Sequence, residues 1–206
     1  AKGIVDLARV YIDRGVVGID LAGDEVNHSS LPLADIFLEA KEAGLGVTVH
    51  AGEVPRPDNV RAAILELGAD RIGHGVCIRD DASVLELVRR TGVVLEMCPT
   101  SNWQTGAVAA LHQHPILDYH RAGLKVTINT DNPSVSDTTL TDECCLALTE
   151  LGMAWREMET IVLNGVRAAF LPAEEREDLE KWFRRSMSEI GSCSPGGLAA
   201  ERQKSP

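Results

Sequence analysis

Apolar runs alternate with amphipathic stretches along most of the chain. Residues 1–15 (AKGIVDLARVYIDRG) place Ile4, Leu7, Ala8 and Tyr11 on one helical stripe, with Gly15 where a helix would stop. The run VVGIDLAG then reads as a buried strand. Helical spacing returns in 33–44 (Leu33, Ile36, Phe37, Ala40, with Gly44 as stop) and in 58–69 (Val60, Ile64, Leu67). It recurs in 80–92 and 114–123, each ending in glycine. Between these lie the strand-like runs VTVHAGE (47–53), RIGHGV (71–76), VVLEMCP (93–99) and LKVTINTDNP (124–133). Strand starts fall near 17, 46, 70, 92 and 124, a repeat of 22 to 32 residues, as a strand, turn, helix and turn require. The strands read as continuous apolar runs, the pattern of a parallel sheet covered on both faces. An α/β fold with right-handed crossovers follows. Residues 139–185 read as wholly helical. The tail from 186, rich in Gly, Ser and Pro beyond 191, reads as disordered.

Composition narrows the partners. The 206 residues are 44% hydrophobic and 25% charged, an ordinary globular balance. A net charge of −11, with no basic cluster beyond the Arg pairs at 89–90 and 184–185, argues against nucleic acid or an anionic membrane surface. No apolar run approaches the ~18 residues of a membrane span. Five cysteines, an odd number with no CxxC, point to a reducing cytoplasm rather than a disulfide scaffold.

The strand ends carry the candidate chemistry. HAGE (50–53) sets a histidine and a glutamate three residues apart, suited to holding a metal and moving a proton. GHG (73–75) places His74 between two glycines, and TDNP (130–133) offers Asp131 as an oxygen ligand. Each has a plainer explanation by itself: a buried histidine, a solvated loop or an ordinary turn. Barrels of alternating strands and helices keep their chemistry at the C-terminal ends of the strands, where His50, Glu53, His74 and Asp131 would converge. His28, His112, His114 and His120 lack that placement and are read as having no part in the site. Cys144 and Cys145, like the four methionines, are read as packing or surface residues.

Taken in order, IDLAGDE, TVHAGE, RIGHGV, CPTSN, TINTDNP and NGVRAAFLP (164–172) resemble the strand-end motifs of the adenosine deaminase family, across nearly all of residues 1–185. The resemblance implies a (β/α)8 TIM-type barrel, with about the last five strand–helix units in residues 1–185. It implies zinc-dependent hydrolysis of adenosine or 2′-deoxyadenosine to the inosine product plus ammonia. His50 then resembles a zinc-binding histidine and Asp131 the carboxylate ligand. Glu53 resembles the acid that protonates the purine N1, and His74 the residue that orients the attacking hydroxide. Gly23 would offer its backbone N–H to the purine. Asn132 stands where some members carry a second Asp that contacts N7. The small-molecule partner is a purine nucleoside; adenine or AMP is the alternative substrate.

The family's early His-x-His zinc pair has no counterpart near the start; His112-Gln113-His114 lies before a late helix. His50 and Asp131 alone fall below the three protein ligands usual at a catalytic zinc. The expectation is therefore the C-terminal part of a longer enzyme, poorly packed and weak in zinc binding by itself. A non-catalytic truncated product is the competing reading. The HxE and PCxxC signature of nucleobase-editing deaminases is absent.

Overall fold

The computed structural model describes residues 1–192. Helix α1 (Lys2–Val10) leads into β1 (Gly18–Leu21), α2 (Ala34–Glu42), β2 (Gly46–Ala51), α3 (Pro57–Leu65) and β3 (Arg71–His74). Then follow α4 (Ala82–Thr91), β4 (Val94–Met97), α5 (Pro99–Gln104), α6 (Ile116–Arg121) and β5 (Val126–Ile128). The chain closes with α7 (Pro133–Ser136), α8 (Leu140–Thr149), α9 (Trp155–Ala168) and α10 (Ala173–Ser192). No helix among the described residues is long and apolar enough to cross a membrane.

The five strands form one parallel sheet in the order β1-β2-β3-β4-β5. Neighbours in sequence are neighbours in space, so right-handed crossovers bring successive helices to the same face. That face is apolar: Val47, Val49, Ile72, Leu95 and Val126 pack with Val60, Leu67, Val84, Val88 and Ile116 in the main core. Parallel register aligns the opposite face as Asp20 beside Thr48, Thr48 beside Arg71, His50 beside Gly73, Gly73 beside Glu96 and Glu96 beside Thr127. The expectation of continuous apolar strands is corrected here. One face alternates into a polar row because it must carry charged side chains towards the strand ends.

Local signals explain several element boundaries. Asp81 caps α4 by accepting from the Ser83 and Val84 amides, and left-handed Gly92 (φ 67°) ends it. Thr139 and Asp142 form a capping box at α8. The helix expected over 1–15 ends at Val10, followed by a tight turn over Ile12–Arg14 and left-handed Gly15. Of its expected stripe only Ala8 is buried, packing with Val5, Ala40 and Leu45, whereas Ile4 and Leu7 are 66% and 55% exposed. After β4, Pro99 within CPTSN starts α5 from its first turn. The helical reading of 139–185 is interrupted after Thr149 and again after Ala168. Helix α10 runs to Ser192, past the boundary expected at 185, and the rest of the expected tail lies outside the described residues.

At the N-terminal end of the sheet, Phe170 lies across the first residues of β1 and β2. A Cβ added at Gly46 would sit 2.4 Å from the Phe170 ring, and one at Gly18 would sit 2.8 Å from it. The Arg71 guanidinium stacks over the same ring at 3.8 Å, while its Nε donates to Thr48 Oγ1 and pairs with Glu96. Arginine over an aromatic face adds a cation–π contact to the packing at this end.

Candidate active site

The C-terminal ends of β2, β3 and β5 bring three ligand-type side chains together. One ligand atom each from His50, His74 and Asp131 lie within 4.8 Å of one another. Two of these residues hold backbone conformations that L-residues avoid, His74 at φ 69° and Asp131 at φ 57°. Each such position costs about 1–3 kcal/mol and persists only where its surroundings enforce it. Gly73 is required for a different reason: a Cβ there would lie 2.9 Å from the His50 ring, which crosses β3 at that point.

His50 is aimed by β1. Its Nδ1 lies 3.0 Å from Asp20 Oδ1, and that hydrogen bond is the main influence holding the His50 pKa above the ordinary histidine value. With the Nδ1 proton given to the carboxylate, Nε2 keeps its lone pair for a cation. Asp131 accepts from Ser101 Oγ at 2.7 Å, which ties β5 to α5. The donor set of an imidazole nitrogen and a carboxylate oxygen is the chemistry that zinc takes. His50 and Asp131 fit as part of a coordination shell, short of the usual three protein ligands.

Glu53 approaches from the loop after β2. Its Oε2 is 3.7 Å from His74 Nε2, and its Oε1 accepts from Thr105 Oγ1 at 2.8 Å. The loop itself is set by Glu25, whose carboxylate accepts from the backbone amides of Gly52, Glu53 and Val54 and from Asn59 Nδ2. Four donors on one carboxylate lock the turn that presents Glu53. His74 is 2% exposed, and burial pushes its pKa below the ordinary value.

Two openings meet at His50. One, about 330 Å³, is lined by Asp20, His74, Glu96, Cys98 and Asp131; the other, about 260 Å³, by Gly23, Glu25, His28, Ser29 and Asn59. Burial drives the Cys98 thiol pKa far upward, so it faces the first opening as a neutral group. Gly23 is exposed at the second opening. Asn132 caps α7, its Oδ1 accepting from Val135 N at 3.2 Å, which leaves its NH2 group for other partners.

All four residues expected at the rim thus meet there. The site also recruits Asp20, Glu25, Ser101, Asn102, Thr105 and His114, which the strand-end pattern did not single out. His114, given the plainer reading, is buried and bonded to Asn102, which bonds His74. His28, though placed outside the site, lines the second opening. His112 is exposed, consistent with the plainer reading.

The sequence profile of the family described as adenosine deaminase matches residues 1–183. The chain belongs to the adenosine deaminase family. An adenosine deaminase of Enterococcus faecalis is 43% identical over 178 residues, covering 86% of this chain and 52% of that protein. Among solved structures, an adenine deaminase from Arthrobacter aurescens superposes with a TM-score of 0.80 at 26% identity, covering 89% of this chain and 58% of that one. The N6-methyl-AMP deaminase of Arabidopsis thaliana gives 0.82 at 29%, covering 91% and 55%. The chain spans about half the length of the curated relatives it matches.

Proposed function

We propose that this family member contributes the C-terminal five strand–helix units of an eight-unit barrel that hydrolyses adenosine or 2′-deoxyadenosine to the inosine product and ammonia. The observation that carries the reading is the meeting of His50, His74 and Asp131 ligand atoms within 4.8 Å, with Glu53 Oε2 3.7 Å from His74. His50 and Asp131 would hold a zinc ion, with further ligands from outside these residues. Zinc supplies a water acidified to a pKa near ~7.

The chain's own residues do the rest. Glu53, with one oxygen held by Thr105, delivers a proton to purine N1 and so makes C6 electrophilic. His74 directs its Nε2 towards the attacking oxygen. Gly23 offers its N–H to the base, and the Asn132 NH2 group faces the N7 role. Neither opening that meets at His50 is lined by Lys or Arg, which favours an uncharged nucleoside over AMP. The likeness to an adenine deaminase and an N6-methyl-AMP deaminase keeps those substrates as the rivals to test.

The test is deamination by the native polypeptide with zinc, comparing adenosine, deoxyadenosine, adenine and AMP, and a Glu53→Gln control. Inosine formation lost in the control supports the proposal. Preference for adenine or AMP overturns the substrate; no turnover of any of the four leaves a non-catalytic protein.

A further inference from the structure

Behind the site runs a buried chain of polar groups that ends at His74. It starts at two backbone amides, which can only donate. The Ile116 N–H donates to His114 Nδ1 at 3.3 Å, so that nitrogen holds a lone pair and the His114 proton resides on Nε2. The Cys98 N–H donates to Asn102 Oδ1 at 3.3 Å, and His114 Nε2 reaches the same oxygen at 3.1 Å. Both partners of that oxygen are donors. Turning the Asn102 amide over would set its NH2 group against two N–H groups, with nothing to accept it. Its Nδ2 therefore faces His74 Nδ1, 3.0 Å away. Asn102 is fully buried, His114 is 5% exposed, and no buried side-chain nitrogen or oxygen among the described residues lacks a partner.

We infer that Asn102, oriented by the Cys98 amide and by His114, fixes His74 as the tautomer protonated on Nε2 and limits it to donating a hydrogen bond into the site. Asn102 and His114 are positioning residues; neither touches substrate. An amide NH2 group at Nδ1 demands a lone pair there, and the only proton of neutral His74 must then lie on Nε2, beside Glu53. Placing a proton on Nδ1 would force donor against donor somewhere along the chain, whichever way Asn102 and His114 are turned, in a place that water does not reach.

The consequence for the proposed reaction rests on the deaminase reading. His74 has no free nitrogen to take the proton of an attacking water, nor to ligate a metal through Nε2. Of the three clustered groups, His50 and Asp131 remain as ligands and His74 as a donor. The proton released by water must pass to a carboxylate: Asp131, or Glu53 once its own proton has gone to purine N1.

The tautomer is read directly by nitrogen-15 NMR of histidine-labelled native polypeptide, metal-free and then with Zn2+, with His74 assigned by the signals lost in His74→Gln. The expected spectrum shows an unprotonated Nδ1 and a protonated Nε2, unchanged by zinc. A proton on Nδ1, rapid averaging of the two nitrogens, or loss of the Nε2 proton on zinc addition overturns the inference. Asn102→Asp replaces the NH2 group by an acceptor and is expected to move the proton to Nδ1. A folded variant that keeps the native tautomer also overturns it, and if that variant does not fold, the native spectrum decides. The readout needs no turnover, so its failure is distinct from failure of the nucleoside assay.

Discussion

The two ends of one sheet are built to opposite rules. At the N-terminal end the chain removes side chains, with glycine at 18 and 46, and fills the space with the Phe170 ring under Arg71. At the C-terminal end it keeps side chains where backbone geometry resists them, holding His74 and Asp131 at positive φ. The first arrangement lowers the energy of the fold. The second raises it and brings ligand-type groups together, the division of labour expected of alternating strand–helix folds. Stability and chemistry are thereby separated along strands only three to six residues long.

That contrast can be broken most sharply at Glu53. Glu53→Gln is expected to lower deamination by the native polypeptide roughly 10²–10⁴-fold, while thermal denaturation stays nearly unchanged because the side chain is half-exposed. A loss of stability matching the loss of rate would mean that the two ends are not separate. Glu25→Ala strikes between them. It strips three backbone amides and Asn59 of their acceptor, so about 1–3 kcal/mol of stability should be lost. Turnover should fall as well, through misplacement of Glu53. Denaturant melts and kcat measured on one preparation check both; a change in KM alone would contradict the positioning role.

At the opposite end, Gly46→Ala should destabilise by about 1–3 kcal/mol through overpacking against Phe170. Activity per folded molecule should be preserved. An unchanged melting temperature would show that the Phe170 ring moves aside freely.

The smallest effect is one of pH. Burial lowers the His114 pKa to about 3, whereas the unfolded chain protonates near the ordinary 6.5. Below 6.5 the unfolded state binds the extra proton, so the stability due to neutral His114 is complete above that pH and declines as pH falls towards about 3. His74, also lowered, adds in the same direction, and His50, raised by Asp20, opposes it. Stability measured between pH 7 and 5 should therefore fall less steeply in His114→Gln than in the native protein; equal slopes would remove His114 from the account.

How far the sequence reveals this arrangement depends on the range of the interactions. Strand positions were legible because each apolar run ends in its own polar cluster, and the sheet starts at 18, 46, 71, 94 and 126 against expected values near 17, 46, 70, 92 and 124. The convergence of His50, Glu53, His74 and Asp131 was legible because each lies at such an end. Glu25 was not, since its role is to receive amides 27 to 29 residues away. His114 opens the stretch 114–123 read as helix but lies just before α6, and its bond to Asn102 arises only once the chain has folded α5 against it. The polar face of the sheet was hidden for a related reason. Thr48, Arg71, Glu96 and Thr127 are single residues within apolar runs and become a row only through strand register.

The left-handed backbone at 74 and 131 carries a warning for anyone redesigning this scaffold. A search guided by backbone conformation alone would write glycine at both places, since glycine occupies that conformation without penalty. The local strain would be relieved, but the imidazole and carboxylate that meet at the pocket would be gone, and Asn102 and Ser101 would lose their partners. Here the residues least suited to their backbone are the ones to leave untouched.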